Sequence, residues 1–165
     1  MQVLATAVDD PGLAPAMPHL STDYLNRYGE ALMLLEIALV DPDIVADLQA
    51  WRPVGYRAHF EQSNLRCTQS ALAAYDGLSD DRRQAFENLC LAMNRLIATV
   101  SALLAERQAG QPDVPGVSSI VDVASEALRT QIGLATQFIN ANGRVDLAAL
   151  EGHSLQDDID ALFAT

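Results

Sequence analysis

The chain has 165 residues, half of them hydrophobic, and carries 22 acids against 10 bases for a formal charge of −12. All ten bases are Arg, so chemistry built on a Schiff-base, P-loop or kinase-type Lys is excluded, and so acidic a chain is poorly suited to nucleic-acid phosphates. The size suits one domain that buries about 70% of its unfolded surface without needing metals or disulfides.

Residues 1–20 set Pro11, Pro15 and Pro18 among small residues and read as a flexible arm. Ser21 or Thr22 then caps a first helix, in which Leu25, Tyr28, Leu32, Leu35 and Leu39 recur at steps of three and four. Asp41-Pro42 stops it and starts a short second helix, with Asp41 as cap and Pro42 at the first helical position. That helix ends near Trp51, because Pro53 disfavours helical geometry at Arg52. A third helix is predicted from about Val54 to Tyr75, with Tyr56, Phe60, Cys67 and Ala71 on one side and Gly77 as its stop. Ser79, followed by Asp80 and Asp81, opens the fourth: a cap, then acids beside the positive end of the helix dipole. Its columns Phe86/Met93/Val100, Leu89/Leu96/Leu103 and Cys90/Ile97/Leu104 make a stripe broad enough for a bundle. After a Gly- and Pro-rich loop over 109–117, Ser118 or Ser119 caps a fifth helix to about Asn142, lined by Val121, Leu128, Ile132, Ala135 and Ile139 and stopped by Gly143.

Alternation at strand period is nowhere sustained, and there is no internal repeat. The expected architecture is all-α: a four- or five-helix bundle over 21–142, a flexible N-terminal arm over 1–20, and an acidic tail over 143–165 that carries a short C-terminal helix. No base precedes Arg27, so the charged region of a leader is missing. The longest apolar run, Ala31 to Val40, is broken by Glu36 and falls short of the roughly 18 residues of a membrane span. Cys67 and Cys90 are isolated, as in a reducing compartment. The reading is a soluble cytoplasmic protein without a membrane or nucleic-acid partner; a homodimer stays open.

Candidate chemistry is sparse. His19, His59 and His153 lie far apart without HExxH or ExxH spacing, so no metal and no cofactor is expected. No GxSxG elbow, GxGxxG loop or Walker A loop occurs. Glu30 and Glu36 are turned about 120° apart around the first helix, which argues against a carboxylate pair, and Glu36 is placed to meet an Arg. Tyr24, Tyr28, Tyr56, Phe60 and Trp51 are either core anchors or the ring of a small-ligand pocket. Asn64, Asn94 and Gln131, near apolar stripes, suit a polar network. Asp80 and Gln84 stand one helical turn apart, a spacing that could orient a water, although Asp80 already has a role at the helix start.

The tail is the most specific signal. No base follows Arg144, whereas Asp146, Glu151, Asp157, Asp158 and Asp160 do. Ser154 can cap a short helix in which Leu155, Ile159, Leu162 and Phe163 share a face. Such a helix is stable only when docked. Gln156 to Phe163, Gln-Asp-Asp-Ile-Asp-Ala-Leu-Phe, resembles the Ser-Gln-x-Glu-Ile-Asp-Ala-Leu-Leu segment with which the flagellar switch protein FliM binds the response regulator CheY. The phosphatase CheZ carries a related peptide at its own C-terminus, on a helical bundle with an Asp-x-x-x-Gln catalytic pair. Here Leu155 separates Ser154 from Gln156, and Phe163 stands where FliM has Leu. The resemblance implies a bacterial chemotaxis or flagellar protein without enzymatic activity. It would bind a CheY-like receiver domain through Gln156, Asp157, Asp158, Ile159, Asp160, Leu162 and Phe163. The alternatives are a CheZ-like phosphatase using Asp80 and Gln84, and a small-ligand-binding helical bundle.

Overall fold

Ser21 opens the helical part of the chain. In the computed structural model, which describes residues 17–108 and 116–150, its hydroxyl accepts from the Asp23 N–H at 3.3 Å. It caps a 3-10 turn, Thr22–Leu25, that runs into α1, Asn26–Ala38. Asp41 then closes a turn by accepting from the Asp43 N–H at 3.1 Å. This moves the start of the next helix: α2 spans Ile44–Ala50 with Asp43 as its N-cap, two residues later than the sequence suggested. Trp51 leaves the helix in extended geometry, and its indole N–H donates to the Arg27 carbonyl at 3.1 Å, tying the Trp51–Pro53 corner to α1.

The single helix expected over Val54 to Tyr75 is two: α3, Tyr56–Glu61, and α4, Thr68–Asp76. The break has a local cause. The Ser63 hydroxyl accepts from the Leu65 N–H at 3.1 Å and contacts the Thr68 hydroxyl at 3.3 Å, offering the backbone a turn in place of a helical ladder. The gain is long-range: α4 folds back on α3 so that the Tyr56 and Tyr75 rings stack at 4.8 Å.

α5, Asp80–Gln108, begins as expected, with the Ser79 hydroxyl accepting from the Arg82 N–H at 3.3 Å. α6, Val117–Asn140, follows Gly116 rather than a serine cap. It ends on two left-handed residues, Asn142 (φ 52°) and Gly143 (φ 74°). No strand is present among the described residues.

α5 is the central element and packs on α1, α2 and α6, while α1 also packs on α2 and α6. Phe86, Met93 and Val100, with Cys90, Ile97 and Leu104, form its buried side. Leu96 and Leu103 flank it half-buried. Val121, Leu128, Ala135, Phe138 and Ile139 face it from α6, and Tyr28, Ala31, Leu35 and Ala38 from α1. Each large side chain so buried contributes about 1.5–3 kcal/mol. By length and composition α5 could cross a membrane (mean hydropathy 1.5 over eighteen residues), which corrects the expectation drawn from unbroken apolar runs. A helix of a protein core passes the same test; 39% of this stretch is buried, with Phe86, Met93, Ile97, Val100 and Leu104 of α5 in the core.

Both edges of the helical core lie further out than 21 and 142. Leu20 is buried, and its N–H donates to the Asn142 side-chain carbonyl at 2.9 Å. The Asn142 amide in turn donates to the Pro18 carbonyl at 3.0 Å. Residues 147–150 form one helical turn, with Leu147 buried and Val145 and Leu150 against the core. The rest of the arm, residues 1–16, and residues 151–165 lie outside the described residues.

Candidate functional site

The aromatic residues gather where α3 and α4 meet the 3-10 turn and α5. Tyr24 contacts Tyr28, Tyr56 and Phe86 at centroid distances of 5.7, 5.3 and 6.2 Å. Tyr56 adds Phe60 at 4.7 Å, Tyr28 adds Trp51 at 6.0 Å, and Phe86 stacks on Phe138 at 5.1 Å. All four tyrosines of the chain belong to this cluster, and all four are buried. Core anchoring is thus their first role.

Above them lies an open cleft of about 730 Å³, floored by Tyr24, Tyr56, Tyr75, Phe86 and Cys90. Leu91, 45% exposed, stands on its α5 wall. A second cleft of about 380 Å³ continues along α5 past Ile97, Ala98 and Ala102, with Trp51 and Pro53 opposite. Asn94 lines both, so the two clefts meet there. Tyr24, Tyr56 and Trp51 therefore do not ring one cavity; Trp51 belongs to the second cleft.

The polar atoms of the floor already have partners. The Tyr24 hydroxyl donates to the Val54 carbonyl at 2.8 Å, and that of Tyr28 to the Asn94 side-chain carbonyl at 2.9 Å. The Tyr56 hydroxyl accepts from the Ser21 N–H at 3.0 Å and donates to the Ala71 carbonyl at 3.3 Å. Tyr75 donates to the Glu87 carboxylate. Burial raises the pKa of every one of these phenols, that of Tyr56 to about 12. Burial likewise pushes the Cys90 thiol up to about 11, which removes it as a nucleophile.

The rim carries the charge. Arg57 and Arg83 lie over the Tyr75 ring at 5.9 and 5.7 Å. Arg57 pairs with Asp76 and with Glu61 (3.6 Å), and Arg83 with Asp80 (3.7 Å). Exposed pairs of this kind contribute at most about 1 kcal/mol each and exchange readily.

No protein-family model, curated protein or solved structure matches the chain.

The other residues singled out in the sequence fall as follows. Asp80 and Gln84 stand one turn apart at the start of α5: the Asp80 carboxylate is fully exposed beside Arg83, and the Gln84 amide donates to Asn88 at 2.9 Å. Glu36 pairs with Arg129 across α1 and α6, as its position suggested. His59 lies 3.0 Å from Asp23, the His19 ring is 2.8 Å from the Leu20 carbonyl, and no group of three metal-ligating side chains converges among the described residues. Asn64 is exposed, and the Gln131 side-chain carbonyl is buried without a partner. Gln156, Asp157, Asp158, Ile159, Asp160, Leu162 and Phe163 lie outside the described residues. The sequence reading passed over Arg57, Arg83, Tyr75 and Leu91 as site residues. Leu91 alone gave a signal, as an apolar residue among Gln84, Glu87, Asn88 and Arg95 on the polar side of α5.

Proposed function

We propose that this is a non-enzymatic protein of bacterial chemotaxis or flagellar signalling, acting in the cytoplasm. In this reading a bundle built from α1, α2, α5 and α6 carries a C-terminal peptide that docks on a CheY-like receiver domain. The observation that carries the reading is the segment Gln156–Phe163, whose order of acidic and apolar residues resembles that of the FliM peptide. Ile159, Leu162 and Phe163 supply burial; Asp157, Asp158 and Asp160 meet basic groups and set orientation. Both side chains of the alternative phosphatase pair have other partners, Asp80 with Arg83 and Gln84 with Asn88, which supports a binding role.

The test is a titration of the labelled full chain against CheY-like receiver domains, with and without a phosphoryl mimic. The expected result is binding that responds to the mimic and weakens about tenfold or more in Ile159→Ala, the loss of one large buried side chain. Equal weak binding to every receiver domain, indifferent to Ile159→Ala, overturns the reading.

A further inference from the structure

We infer that the groove along α5 is the resting site of the chain's own C-terminal segment, residues 151–165, docked in cis as an amphipathic helix. The groove suits side chains rather than a small polar ligand. Small-molecule sites offer a few convergent polar groups, whereas here the tyrosine hydroxyls of the floor are all engaged within the protein. What remains on offer is the exposed Leu91 and a charged rim over a floor of buried rings, an arrangement that can receive one face of an amphipathic helix.

Charge, length and attachment select the occupant. Lining the two clefts are Arg52, Arg57 and Arg83 against Glu61 and Glu87, the reverse of a chain in which acids outnumber bases 22 to 10. Residues 151–165 hold four acids and no base. Their carboxylates can replace Asp76, Glu61 and Asp80 on Arg57 and Arg83, since those exposed pairs are weak. Ser154–Thr165 as a helix is about 18 Å long, and the first cleft follows α5 from Arg83 to Asn94, about 17 Å. The chain leaves α6 beside the start of that cleft: Gly143 and Arg144 share a hollow with Leu78, Ser79 and Arg82, and Arg83 is the next residue along. Residues 145–150 pack on the core, and residues 151–153 then span up to about 11 Å as a link. Docking here would bury the face that the proposed function gives to the receiver domain, so the two sites compete for one helix.

Hydrogen exchange on the full chain tests this. Amides of residues 156–163 should exchange at least tenfold more slowly than in the free 151–165 peptide, and equally at all protein concentrations. Leu91→Glu, at an exposed position, should return them to the free-peptide rate while α6 keeps its protection. Ile159→Asp, within the docking segment, should raise hydroxyl-radical labelling of Leu91 several-fold. Three results each overturn the inference: free-peptide exchange in the unaltered chain, protection that survives Leu91→Glu, or protection lost on dilution, which assigns the groove to a second copy's tail. Cis protection in the unaltered chain with no receiver binding by the Leu91→Glu chain, whose tail is released, leaves this inference standing and removes the proposed function; receiver binding without protection does the reverse.

Discussion

Replacing Gly143 with Ala puts a methyl group where the fold has no room for one. The residue sits at φ 74°, where an L side chain meets its own carbonyl at a cost of about 1–2 kcal/mol. The added Cβ would also lie 2.3 Å from Leu78 Cδ2, with the Phe138 ring at 3.4 Å and Leu20 at 3.6 Å behind it. Leu78, half-buried beside an open hollow, must shift the end of its side chain by about 1 Å, and overpacking costs about 1–3 kcal/mol, here at the low end. The reduced freedom of the unfolded chain gives back about 0.4–1 kcal/mol. The net expectation is a destabilisation of about 1–3 kcal/mol, a sizeable part of a typical 5–15 kcal/mol. At a slope of about 2 kcal/mol per molar urea, the unfolding midpoint falls by about 0.5–1.5 M. A double-mutant cycle with Leu78→Ala separates the two contributions: the steric part should vanish in the double variant, giving a coupling of about 1 kcal/mol or more. Gly29→Ala is the contrast. Gly29 is exposed within α1 with nothing within 4 Å of the added Cβ, so the same substitution should stabilise by about 0.5–1 kcal/mol. A midpoint shift under about 0.3 M for Gly143→Ala, or a penalty unchanged by Leu78→Ala, would refute the argument.

Two further expectations concern titrating groups. Burial raises all four phenols, Tyr56 to about 12, against about 10 in an unfolded chain. Above pH 10 the unfolded state therefore binds fewer protons than the folded one, so stability falls as pH rises from about 10 towards 12. Tyrosinate absorbance should appear in the same step as the loss of helical circular dichroism; tyrosinate titrating near pH 10 with helices intact contradicts this. Cys67 is half-buried, whereas Cys90 is buried with its thiol pushed up to about 11, about one part in a thousand thiolate at pH 8. A thiol-specific reagent should modify one equivalent quickly in the native chain and the second only on unfolding; two equivalents at similar rates would contradict the burial.

The stripes of α1, α5 and α6 were legible in the sequence because each helix has one wide apolar side, and Ser79-Asp80-Asp81 marked a start with cap and dipole together. The break between α3 and α4 was not. Tyr56, Phe60, Cys67, Ala71 and Tyr75 stay in helical phase straight through it, so periodicity alone could not reveal a turn at 62–67. The deciding contact, Tyr56 on Tyr75, exists only once the chain has folded back. The groove was hidden for the same reason. Its aromatic floor reads as ordinary core, and Arg57 and Arg83 share Tyr75 only through that fold-back. The arm was judged by its prolines, while the residue that fastens Leu20 lies 122 positions away.

Asn142 holds Pro18 and Leu20 with the two ends of one amide, so the segment by which the chain enters its helical core is fastened to the end of α6. Mechanically the fold is a ring closed by a side chain instead of a peptide bond. A pull applied between residues 17 and 143 loads those two hydrogen bonds before it stretches any helix. The clasp is therefore the first contact to part under tension, and its opening would free Leu20 from its place beside Gly143 while the helices behind it stay packed.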